Sequence, residues 1–216
     1  SAFVGIRETT NILSFPSDYR SGSALAVSAF GSLVGYLTKA DGSEYPLLLD
    51  FTRTNITAEN LLKDGGNALI NGRALAVNRF NLATGYRLIA GKRRAFTHNG
   101  TVLADLPLPT APTGVLETVG TGIDDTGVVV GYMVKSDNKR QAFVYRPGAA
   151  GAAGVWKSPS GTFASTWVQS EATGINTFGQ IVGEATLADG SRRAFLWIGD
   201  AAYDLNAILP LGSKWK

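Results

Sequence analysis

Residues 172–184 read ATGINTFGQIVGE, and the same pattern occurs three more times, as ALAVSAFGSLVGY at 24–36, ALAVNRFNLATGY at 74–86 and GTGIDDTGVVVGY at 120–132. Each copy has a small-apolar alternation, a short polar residue with Gly or Asn just beyond it, and a second apolar run closing on Gly. The closing glycines Gly35, Gly85, Gly131 and Gly183 are spaced by 50, 46 and 52 residues. A second element follows each copy: RAFT at 94–97, QAFV at 141–144, RAFLW at 193–197 and a looser YPLL at 45–48, while SAFV at 1–4 opens the chain. The chain is therefore half a repeat over 1–23 followed by repeats at about 24–73, 74–119, 120–171 and 172–213, read as one domain of 216 residues.

Self-similarity at 40–50 residues, with turn residues separating short β-branched and aromatic runs, is the pattern of four-stranded antiparallel units. In the last repeat the strands fall at 172–175, 180–186, 193–198 and 203–208. The expected fold is all-β, a β-propeller-like array of four-stranded antiparallel blades. Ser28, Asn78, Asp124 and Asn176 precede the first turn of each unit, where short polar side chains bond nearby backbone. Residues 57–63, with Thr57 as N-cap and Gly65-Gly66 as a stop, predict a short helix. The run PGAAGAAG at 147–154 is low-complexity and reads as a loop.

The last repeat, GIN…GQIVG…RRAFLW…YDLNAIL, resembles the HAF-repeat family of bacterial extracellular repeat proteins. The likeness is specific there, fair in the third repeat and looser in the first two. It implies export and a β-repeat fold, and it implies no activity. The histidine of the family motif is replaced by Arg94, Gln141 and Arg193, and by Ser1 and Tyr45 in the poorer copies. Any role of that histidine is absent.

With 44% hydrophobic and 17% charged residues and 26 glycines, the composition suits many strands and tight turns and excludes a coiled coil or a disordered chain. No apolar stretch is long enough to span a bilayer as a helix, and the first residues lack a basic region followed by an apolar run. The net charge of +3 is too mild for a specific nucleic-acid binder. The location expected is extracellular, cell-surface or periplasmic.

The absence of Cys removes disulfides, thiolate metal sites and Cys nucleophiles. One histidine, His98, cannot build a triad or a multi-His metal site, and reads as a surface residue beside the Asn99-Gly100 turn. Phosphate-cradling and nucleophile-elbow motifs are also missing. Asp124, Asp125 and Glu184 are the carboxylates that a glycosidase reading would use, but adjacent residues of a turn point different ways. Asp41, Asp137 and Asp189 recur at a second turn, with too few carboxylates for calcium. No catalytic, cofactor or metal site is expected.

Two recurrent features remain. Lys92, Arg93 and Arg94, Lys139 and Arg140, and Arg192 and Arg193 follow that second turn in three repeats, while the first has Ser43-Glu44. On equivalent blades they form an interrupted basic arc, a candidate site for an anionic glycan or surface polymer. Tyr36, Tyr86 and Tyr132 recur on the second strand, where large rings fill space between blades. The function expected is a non-enzymatic binding or scaffold module. The alternatives are a structural assembly protein that self-associates through open strand edges and, more remotely, a carbohydrate-active enzyme. Trp215 resembles Trp167, so the two spare strands of the half repeat predict either an arc completed by further sequence or edge pairing between molecules.

Overall fold

The computed structural model describes residues 3–6, 9–12, 16–50, 57–110, 112–149 and 153–208. The chain is all-β, without α-helix among the described residues. It divides into two compact units, Ser1–Pro107 and Leu108–Lys216.

The first unit opens with β1 (Phe3–Ile6) and β2 (Thr9–Ile12), which pair antiparallel as a two-stranded sheet of their own. A three-stranded sheet follows, β3 (Tyr19–Val27), β4 (Ser32–Lys39) and β5 (Glu44–Asp50). The third sheet is β6 (Gly72–Val77), β7 (Ala83–Ile89), β8 (Lys92–His98) and β9 (Leu103–Asp105). The second unit holds two four-stranded sheets, β10 (Val115–Ile123), β11 (Val129–Lys135), β12 (Arg140–Arg146) and β13 (Val155–Lys157), then β14 (Trp167–Ile175), β15 (Ile181–Leu187), β16 (Arg192–Ile198) and β17 (Ala201–Asp204). Every pairing within these sheets is an antiparallel meander between sequence neighbours.

The repeat has a stereochemical cause. The first and second strands of all four sheets share one register slip, between Ala24 and Ala26, Ala74 and Ala76, Gly120 and Gly122, and Ala172 and Gly174; three of them slip again near the start of the first strand. At the shared bulge the closing glycine faces a small residue: Gly35 pairs with Ala24, Gly85 with Ala74, Gly131 with Gly120 and Gly183 with Ala172. The backbones approach so closely that a Cβ on Gly131 would lie 1.9 Å from the Val119 carbonyl oxygen. Beyond the bulge the turn is tied by its polar residue. Asn78 Oδ1 accepts from the Phe80 and Leu82 amides, Asp124 Oδ1 from Thr126 and Val128, Asn176 Oδ1 from Phe178 and Gln180, and Ser28 Oγ from Ser32. These are turn residues by geometry as well as by pattern.

Two elements are shorter than the sequence reading gives them. The stretch 57–63 does make a helical turn where one is expected, a single 3-10 turn at Ala58–Asn60, and then runs extended: Leu61 bridges Leu47, Lys63 bridges Leu69, and the Leu62 amide donates to the Pro46 carbonyl. The insertion thus lies along β5. Pro46 fits because the N–H it lacks would point to the same side as its carbonyl, away from β4. The last strand ends at Asp204 rather than 208; its carboxylate accepts the Asn206 amide and Leu205–Ile208 turns as 3-10. Trp215 lies outside the described residues.

Within each unit one sheet packs on the next mainly through the latter's first strand. In the second unit β10, β11 and β12 lie against β14. Val130, Ala142 and Val144 of the covering face are at most 1% exposed and meet Ala172, Ile181, Phe195 and Trp197. In the first unit Val34 and Leu48 play the same part against Ala74, Ala83 and Phe96.

Candidate functional site: a recurrent ion-pair clamp and the face beyond it

Tyr36, Tyr86, Tyr132 and Glu184 pair with Pro46, Ala95, Ala142 and Ala194. The residue two earlier on the third strand is their diagonal neighbour on the same face. That residue is Glu44, Arg93, Arg140 or Arg192. The basic clusters and the recurrent tyrosines, read as rival features in the sequence, are one constellation. The Arg93 guanidinium lies 5.9 Å from the centre of the Tyr86 ring, that of Arg140 lies 4.4 Å from Tyr132, and Arg192 donates to the Glu184 carboxylate.

In both units this constellation grips the next sheet. Arg73 on β6 reaches back to Glu44 on β5, donating from Nε and Nη2 to the two carboxylate oxygens at 2.6 Å each, and its guanidinium stacks 4.2 Å from the Tyr36 ring centre. That fork holds the guanidinium above its ordinary pKa, burial opposing. In the second unit Arg140 on β12 donates at 2.5 Å to Glu171 on β14. Register makes Glu44 and Arg140 equivalent, and likewise Arg73 and Glu171. The two clamps occupy the same positions with the charges exchanged, and in each the arginine covers the tyrosine.

Of the seven basic candidates, Arg140 and Arg192 are brought to one place. They line an open cavity of about 410 Å³ on the β14–β15–β16 sheet, with Gln169, Glu171, Glu184 and Thr186. Glu171 and Glu184 face each other across β14 and β15, a carboxylate pair that a linear reading cannot see because it depends on the slipped register. Each already accepts from an arginine, so the cavity holds two ion pairs rather than a positive field. Lys139 is exposed in the turn before β12, and Arg193 lies half-buried 3.9 Å from Asp204. Lys92, Arg93 and Arg94 belong to β8 in the other unit; Lys92 is exposed, and Arg94 stands opposite Arg87, whose charge is taken by Asp105 in a fork of 2.7 and 2.5 Å.

The other candidates are structural. Asp124 is a buried turn acceptor. Asp41, Asp137 and Asp189 each accept a turn amide two residues on; the Ser43 amide and hydroxyl hold Asp41, and the Ser191 hydroxyl and amide hold Asp189, below the usual carboxylate range. Among the described residues no group of three His, Asp or Glu could hold a metal. The first-turn tips Phe30, Phe80 and Phe178 are 74, 62 and 88% exposed, a recurrence the repeat alignment contains but hydrophobicity argues against.

His98 corrects the sequence reading: it is not a surface residue but 1% exposed. Its Nδ1 accepts the Gly100 amide at 2.9 Å, which leaves the proton on Nε2 to donate to the Lys63 carbonyl at 3.0 Å. The insertion after β5 supplies that carbonyl and buries the ring. Burial lowers its pKa, the hydrogen bond to Lys63 opposing. The folded protein then binds fewer protons than the unfolded chain below about pH 6.5, the unfolded value. The contribution is complete above that pH and is lost as pH falls toward the folded pKa. We expect urea stability to drop between pH 7 and 5.5, and the drop to shrink in His98→Gln. As the chain has one histidine, equal slopes in both proteins would rule out the buried neutral ring.

Comparison with protein-family models, with curated proteins and with solved structures finds no match for this chain.

Proposed function

We propose that the chain is a non-enzymatic scaffold module of a secreted or cell-surface protein, its sheets the blades of a propeller-like array, belonging with the HAF-repeat proteins it resembles. The observation that carries this reading is the use to which the recurrent charged position is put. Glu44 with Arg73 and Arg140 with Glu171 join sheet to sheet, so in both units the recurrent charged position holds repeats together. The facing carboxylates Glu171 and Glu184 are engaged by arginines, an arrangement that leaves neither placed as the proton donor a glycosidase requires. Incubating the protein with a panel of bacterial and matrix glycans while following both retention and glycan size tests it. Unchanged glycans are expected, retained or not, and turnover of any glycan overturns the non-enzymatic reading.

An anionic glycan or surface polymer is the second reading, favoured by the exposure of Lys92, Lys139 and Arg192 at hairpin mouths. Replacing these three by Ala should bring elution from a sulfated-glycan column to lower salt. Unchanged elution removes the polyanion and leaves the scaffold.

A further inference from the structure

The last sheet carries the same covering face that β10–β13 uses internally, with no sheet among the described residues on it. Val182 is the counterpart of Val34 and Val130; both of these are 0% exposed, and Val182 is 44% exposed. Ala194 is exposed where its counterpart Ala142 is fully buried, and Leu196 is half-buried where Val144 is at 1%. Thr121 donates to the Ala172 carbonyl of the next sheet at 2.6 Å, whereas its counterpart Thr173 is exposed and reaches the Val182 carbonyl at 3.3 Å. Each of these groups has an internal counterpart whose partner is seen, and that partner is the first strand of another sheet.

One first strand among the described residues is uncovered in the matching way. On β3, Ala24 is exposed where Ala74 and Ala172 are at 0%, and Val27 is 59% exposed where its counterpart Ile175 packs into the core. Charge selects the same pairing. At the other clamps the tyrosine position leaves the cation or anion to be met by the incoming strand, as Arg73 meets Glu44 and Glu171 meets Arg140. In the last sheet Glu184 replaces the tyrosine and satisfies Arg192 internally. A strand arriving there needs no charge, and β3 has Ser23 at the clamp position.

Resting on the scaffold reading, we propose that the open face of β14–β17 docks the β3 strand of a second copy of this chain. The contact is head-to-tail, one surface of each molecule against a different surface of the next, so it builds a ring or a filament. It is a face contact, distinct from pairing of strand edges.

Sedimentation velocity over a concentration series tests this. The protein should associate with concentration. Val182→Asp and Val27→Asp, both at exposed positions, should each sediment as monomers with unchanged circular dichroism and melting. An equimolar mixture should form a dimer and nothing larger, because one intact face remains on each variant and the two are complementary. Val182→Asn and Val27→Asn repeat the test should either aspartate disturb folding. A protein monomeric at every concentration, association that survives both changes, or a mixture that stays monomeric overturns the proposal. None of these outcomes touches the Glu44–Arg73 clamp, on which the scaffold reading stands.

Discussion

Gly131→Ala should cost about 3 kcal/mol or more of stability, since the added methyl meets a backbone oxygen that cannot rotate away. Its Cβ would lie 1.9 Å from the Val119 carbonyl oxygen and 3.1 Å from the Gly120 Cα, so β10 and β11 must part at the bulge. Gly190→Ala provides the contrast. Its φ of +83° makes an L residue unfavourable, yet nothing lies within 4 Å of a new Cβ. Strain alone predicts about 1 kcal/mol. Chemical denaturation of both variants separates close approach from backbone conformation, and equal losses would contradict the assignment of the closing glycine to close approach.

Reversing one charge of the first clamp should be the next most damaging change. Glu44→Arg places a guanidinium against that of Arg73, removes a two-point hydrogen bond and displaces Arg73 from Tyr36. The pair is partly exposed, at 36 and 23% of side-chain surface, so the loss is roughly 1–2 kcal/mol rather than that of a buried pair. Adding Arg73→Glu should restore most of it, because Arg140 and Glu171 hold the exchanged arrangement at the same positions. A double-mutant cycle in urea reads the coupling, expected at about 1 kcal/mol. A double variant no better than Glu44→Arg would show that the two clamps are not equivalent.

The repeat was legible because each of its marks answers a local demand: Gly131 for the close approach, Asp124 and Asn176 for the turn, Phe143 and Phe195 for the core. What escaped depends on register and on insertions. Glu171 and Glu184 are thirteen residues apart and meet only because the bulge at Ala172 shifts the pairing. His98 looks like a loop-side polar residue until the insertion folds along β5 and puts the Lys63 carbonyl over it. Of the basic clusters, Arg140, Arg192 and Arg193 meet carboxylates on other strands, and that of Arg140 comes from the neighbouring sheet. Periodicity reports which face a residue takes; it does not report what arrives from the next sheet.

Within each unit one sheet covers the next in the same way, and the matching face of β14–β17 is exposed. The chain has no cysteine, so single thiols report cleanly. Val130→Cys and Val182→Cys occupy the same position in β11 and β15. In dilute native protein the thiol at 182 should alkylate within a few-fold of the rate of the unfolded chain, while that at 130 should react only as the protein unfolds. Equal protection of both thiols under dilution, or equal reactivity, would contradict the account.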